Sequence, residues 1–89
     1  MAKLELYKNA FSETFGKDQS NISDLEYNSI PEWDSVGHMS LIGAIEESFD
    51  IMMEMDDIID FSSYTKGIQI LKKYNLELTE WDYVVGLRL

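Results

Sequence analysis

Residues 32 to 49 read Glu32-Trp33-Asp34-Ser35-Val36-Gly37-His38-Met39-Ser40-Leu41-Ile42-Gly43-Ala44-Ile45-Glu46-Glu47-Ser48-Phe49, and their pattern decides the fold. Leu41, Ile45 and Phe49 recur every fourth residue and, joined by Ala44, form the apolar row of a helix from about Ser35 to Phe49. Val36, Met39 and Gly43 lie on a different side, giving a second and milder apolar strip. Asp34 precedes the helix as an N-cap. Its carboxylate accepts from the free amides of the first turn and suits the positive end of the helix dipole. Taken alone, Asp34-Ser35 is an ordinary helix cap.

Outward from this segment the chain supplies three more helices. Leu4, Tyr7, Phe11 and Phe15 recur at spacings of three and four, predicting a first helix over roughly 3 to 15 with Gly16 as its stop. Residues 17 to 33 form a long connection rich in turn formers, among them Asp18, Asn21, Asn28 and Pro31. A loop this long is ordered or functional in a small domain, so its Leu25, Tyr27, Ile30 and Trp33 are expected to fold back over the helices. A short helix near 55 to 60 carries Ile58 and Ile59 between acids. Ser62 or Ser63 caps a last helix reaching Tyr74, with Tyr64, Gly67, Ile68 and Leu71 on its apolar face. The expected fold is all-α: a small four-helix bundle with a long first loop and a short third helix, spanning 1 to 74. The tail from 75 to 89 receives no structural assignment.

Length and charge narrow the function. A chain of 89 residues is one domain with a modest core. Seven basic against 17 acidic residues give a formal net charge of -10. That balance argues against nucleic acid and against anionic membrane surfaces, and favours partners with basic patches. No apolar run approaches the ~20 residues of a membrane span. The absence of cysteine removes disulfides, a thiol nucleophile and thiolate metal sites, and fits a cytoplasmic protein. No secretory signal is visible at the N-terminus. Nothing resembles an apolar dimer seam, so a monomer is expected.

Asp34-Ser35-Val36 resembles the Asp-Ser-Leu attachment motif of acyl carrier proteins, with Val36 in place of the usual leucine. The similarity runs without a gap to Ala44-Ile45-Glu46-Glu47-Ser48-Phe49, and the acidic third segment and the Ser62-Ser63-Tyr64 helix start also look like that family. It covers roughly residues 3 to 74. The resemblance implies that Ser35 is esterified by 4'-phosphopantetheine taken from coenzyme A, whose thiol carries acyl groups as thioesters. It implies a phosphopantetheinyl transferase and acyl-loading and acyl-transfer enzymes as partners, the transferase supplying the base and metal. Asp34 and Val36 would then flank the attachment point and help the transferase recognise it.

His38, three residues past Ser35, lies about one turn on. It is expected to be an exposed, passive side chain, the alternative being contact with the phosphate or a partner. It departs from the commoner residues of fatty-acid-type carriers and, with Trp33, hints at a specialised pathway. Glu46, Glu47 and Asp50, with Glu54, Asp56, Asp57 and Asp60, form an acidic cluster, read either as a solvated face or as a docking surface to which Val36, Met39 and Ile42 add apolar contact. Met52, Met53 and Met55 suit flexible packing around the third helix or an adaptable lining for an acyl chain. Catalysis by a Ser35-His38 pair has no oxyanion-hole or third-residue pattern behind it. Two alternatives stand beside the acyl carrier. One is an aminoacyl, peptidyl or D-alanyl carrier with the same modified serine. The other is an acidic helical interaction module that carries no prosthetic group.

Overall fold

The first helix, α1, spans Lys3–Phe15 and buries Tyr7, Ala10, Phe11 and Phe15 along one stripe, ending at Gly16. The computed structural model describes residues 2–76 and 78. Three further helices follow: α2 at Ser35–Phe49, α3 at Met55–Asp60 and α4 at Tyr64–Leu71. Short 3-10 turns occupy Gln19–Asn21 and Lys72–Tyr74. Among the described residues there is no strand, only an isolated bridge between Glu26 and Ser63. The protein is therefore a small, mostly helical, all-α domain.

The predicted last helix reaches Tyr74, but regular α structure stops at Leu71. Its final turn tightens to 3-10 and closes at Asn75, which takes a left-handed conformation at φ 64°. This tighter hydrogen bonding is a common way to satisfy the carbonyls left over at a helix end. Packing continues beyond 74: Leu76 is half-buried against the core and Leu78 is buried. The remainder of the predicted tail lies outside the described residues.

α1 packs along α2, and aromatic rings fill the space between α1, the loop and α4. Phe11 makes edge contacts with Tyr7, Tyr64 and Trp33 at centroid distances of 4.9, 5.1 and 5.6 Å. Each such pair contributes about 0.5–1.5 kcal/mol beyond area burial. The Tyr7 hydroxyl donates to the carbonyl of Tyr64 at 2.6 Å, so this buried polar tip is satisfied. Burial, and then the nearby Tyr64, hold the Tyr7 hydroxyl well above the usual tyrosine range. At Gly67 a β-carbon would meet the Phe61 ring and the Tyr7 hydroxyl at 2.2 Å, so glycine lets α4 settle onto this cluster.

The long connection is ordered. Ile22, Leu25 and Trp33 are buried in the core and Ile30 is half-buried. Tyr27 also folds back, edge-on to His38 of α2 at 5.6 Å, while staying 40% exposed. Backbone bonds from Tyr27 N to Ser62 O and from Tyr64 N to Leu25 O, both 2.9 Å, tie the loop to the start of α4. The loop thereby delivers Trp33 and Asp34 to the head of α2.

Candidate functional site at the head of helix α2

Trp33 is fully buried, stacked on Phe15 at 5.2 Å and edge-on to Phe11. That anchor fixes the backbone one residue before the cap. Asp34 Oδ1 then accepts from Gly37 N at 2.8 Å, and His38 N donates to Asp34 O at 2.7 Å to begin the helical ladder. Gly37 is needed for a steric reason: a β-carbon there would lie 1.9 Å from the carbonyl oxygen of Glu32. Only a residue without a side chain lets the loop cross so close to the first turn.

Ser35 opens α2 and is exposed, as is Asp34. The amides of Ser35 and Val36 are the first two of the helix and have no carbonyl one turn back within it. An anion esterified to the Ser35 hydroxyl would stand at the dipole-positive end of a 15-residue helix. The residues present therefore fit a phosphodiester: an exposed serine and two helix-start amides without a carbonyl one turn back in the helix.

Beside Ser35 a cleft of about 390 Å³ opens between α2, α3 and the loop. Ser35, His38 and Met39 line it from α2, Met55, Ile58 and Ile59 from α3, and Tyr27, Phe61 and Ser62 from the connecting segments. Most of these side chains are apolar. Met39, Met55 and Ile59 are 55%, 69% and 69% exposed, so the rim offers apolar surface to solvent. Val36, at 74%, lies next to Ser35 on the outside of α2. Of the predicted methionine group, Met55 lines the cleft, Met52 is exposed and Met53 is buried in the core.

Three expectations are corrected. His38 is neither an exposed bystander nor a phosphate ligand. It is buried, with Nδ1 accepting from the indole N–H of Trp33 at 3.0 Å and Nε2 lying 2.7 Å from the carbonyl oxygen of Ile58. An indole nitrogen only donates, so Nδ1 holds the lone pair and Nε2 carries the proton. Neither nitrogen is left to act on Ser35. Ile42 is 1% exposed and belongs to the core, so it offers no surface contact. Asp57 is not part of an exposed acidic face. It is buried, 2.6 Å from Lys73 Nζ and accepting from the Tyr74 hydroxyl at 2.5 Å. The Lys73 bond, then the Tyr74 bond, hold its carboxyl below the ordinary aspartate range.

The rest of the acidic group divides. Glu46 is half-buried, and its Oε2 accepts from Met53 N at 2.9 Å, bracing the turn after α2. Glu47, Asp50, Glu54, Asp56 and Asp60 are exposed. Among the described residues no group of three or more His, Asp or Glu side chains is arranged to hold a metal ion, and no helix is long and apolar enough to cross a membrane. Sequence reasoning missed the Trp33–His38–Ile58 chain. The one available signal was that a buried indole requires an acceptor.

Comparison of the chain with family models, curated proteins and solved structures finds no match in any of the three.

Proposed function

We propose that this protein is a carrier: Ser35 takes a 4'-phosphopantetheine arm, and the protein presents an acyl group held on that arm to other enzymes. The observation that carries the reading is an exposed serine opening α2 at the mouth of an apolar cleft of about 390 Å³. When attached, the arm supplies the thiol that this cysteine-free chain lacks. The chain's own residues orient and shelter. Asp34 fixes the first turn through Gly37, and Ser35 presents its hydroxyl to a transferase that brings its own base, since a serine hydroxyl alone is a poor nucleophile. The cleft wall from Met39, Met55, Ile58 and Ile59 offers an apolar chain a place out of water.

In this reading the domain belongs to the acyl carrier type, performs no catalysis of its own and meets its partners through the α2–α3 face. The apolar lining beside Ser35 favours an acyl cargo over an aminoacyl one, whose ammonium would be poorly solvated there. Val36 and Met39 give apolar contact, and Glu47 and Asp50, with Asp56 and Asp60, steer basic partners.

The test is intact-mass measurement after incubation with coenzyme A and a phosphopantetheinyl transferase. The wild type should gain one phosphopantetheinyl group and Ser35→Ala none. An unmodified wild type beside a modified control carrier would leave an acidic interaction module.

A further inference from the structure

α3 is six residues long and forms one wall of the cleft beside Ser35. A helix this short does not stand by its own propensity and must be held by its neighbours. Its N-terminal half is tied through Asp57 to Lys73 and Tyr74, and through Glu54 N to the Tyr74 hydroxyl at 2.9 Å. Its C-terminal half meets α2 through one polar bond, from His38 to the carbonyl of Ile58. Ile58 lies within the last four residues of α3, where carbonyls have no partner inside the helix. His38 thus acts as a C-terminal cap delivered from a different helix. Trp33 supports it by donating to Nδ1, which leaves Nε2–H free to donate onward.

From this geometry we infer that His38 is a positioning residue: a latch that holds α3 closed against α2 and so sets how far the cleft beside Ser35 is open. The latch rests on the carrier reading only for its consequence at Ser35. The closure itself is a property of the unmodified protein.

Two amide substitutions separate the two bonds. Asparagine places its oxygen near the position of Nδ1, so His38→Asn keeps the Trp33 bond and loses the Ile58 bond. Glutamine places its amide nitrogen near Nε2, so His38→Gln keeps the Ile58 bond and loses the Trp33 bond. Amide hydrogen exchange read on the unmodified chain should show α3 exchanging roughly three- to tenfold faster in His38→Asn, with the α1 amides unchanged. His38→Gln should leave α3 near wild type while the α1 amides speed up, because a buried indole N–H has lost its acceptor. Equal α3 exchange in wild type and His38→Asn would overturn the latch, as would equal acceleration of α3 in both variants. Nitrogen-15 shifts of the wild-type imidazole test it without any variant: a protonated Nε2 and unprotonated Nδ1 are required, and the opposite tautomer would refute it. Because none of these measurements involves modification, a failed latch and a failed carrier assignment remain distinguishable.

Discussion

Lys73 reaches across from the turn after α4 to place its ammonium 2.6 Å from the buried carboxylate of Asp57 on α3. The lysine side chain is itself 63% exposed, so solvent screens the charge attraction. The Tyr74 hydroxyl completes the carboxylate's shell at 2.5 Å. Two elements that share no helix are joined through one acid.

That arrangement predicts an acid-labile tie. The folded pKa of Asp57 lies below its unfolded value of about 3.9. Its contribution to stability is therefore fully present above the unfolded value and disappears as pH falls through the folded one. Urea unfolding should show Asp57→Asn less stable than wild type at pH 7, with the gap closing as pH drops below about 4. Lys73→Met should cost at least as much as Asp57→Asn at pH 7, because it leaves the buried carboxylate without its cation, whereas the lysine left by Asp57→Asn is solvated. A gap that is constant with pH would refute the tie.

The glycines at 43 and 67 should respond in opposite directions to alanine. Gly43 is an exposed interior position of α2 with nothing within 4 Å of an added β-carbon. Gly43→Ala should stabilise by about 0.5–1 kcal/mol through helix propensity. Gly67→Ala drives a methyl into the Phe61 ring and the Tyr7 hydroxyl, and should cost about 1–3 kcal/mol through overpacking. Chemical denaturation midpoints of the two variants check both signs.

Asp34 caps α2, and substitution separates that stability role from the recognition role proposed for it. Asp34→Ala loses the acceptor for Gly37 N and should cost about 1 kcal/mol, whereas Asp34→Asn keeps the cap and should stay near wild type. If the charge guides a transferase, modification of Ser35 slows in both variants. Modification that tracks stability alone would reduce Asp34 to a cap.

The α2–α3 face makes a salt-dependent prediction. Glu47, Asp50, Asp56 and Asp60 are exposed, so raising ionic strength should slow productive encounter with a basic transferase. Val36 is 74% exposed, and Val36→Asp should leave stability within about 0.5 kcal/mol while weakening that encounter. Modification rates across a salt series, with and without the substitution, measure both effects. Rates indifferent to salt would argue for a merely solvated face.

Helix periodicity made most of the fold legible. The bounds of α1 and α2 follow from apolar spacing and from Gly16 and Asp34 at their ends. What escaped is what only tertiary contact decides. Ile42 sits one residue from Leu41 and three from Ile45, so it could join either strip of α2; burial assigns it to the core. Asp57 reads as one more acid in an acidic run, because its partners lie 16 and 17 residues away and no local rule links them. His38 follows Ser35 by one turn on paper, yet its ring turns inward to an indole before the helix and a carbonyl 20 residues on. At the candidate site, the cap at Asp34 and the helix start at Ser35 were readable in advance. The cleft was not, since Tyr27, Met39, Ile59 and Phe61 come together only through the fold.

Peptide-level mass spectrometry after incubation with coenzyme A and a phosphopantetheinyl transferase tests the central claim most directly. The carrier account predicts a phosphopantetheinyl group localised on Ser35 and on no other serine. A Ser35 that stays bare while a known carrier in the same reaction is fully converted would contradict it.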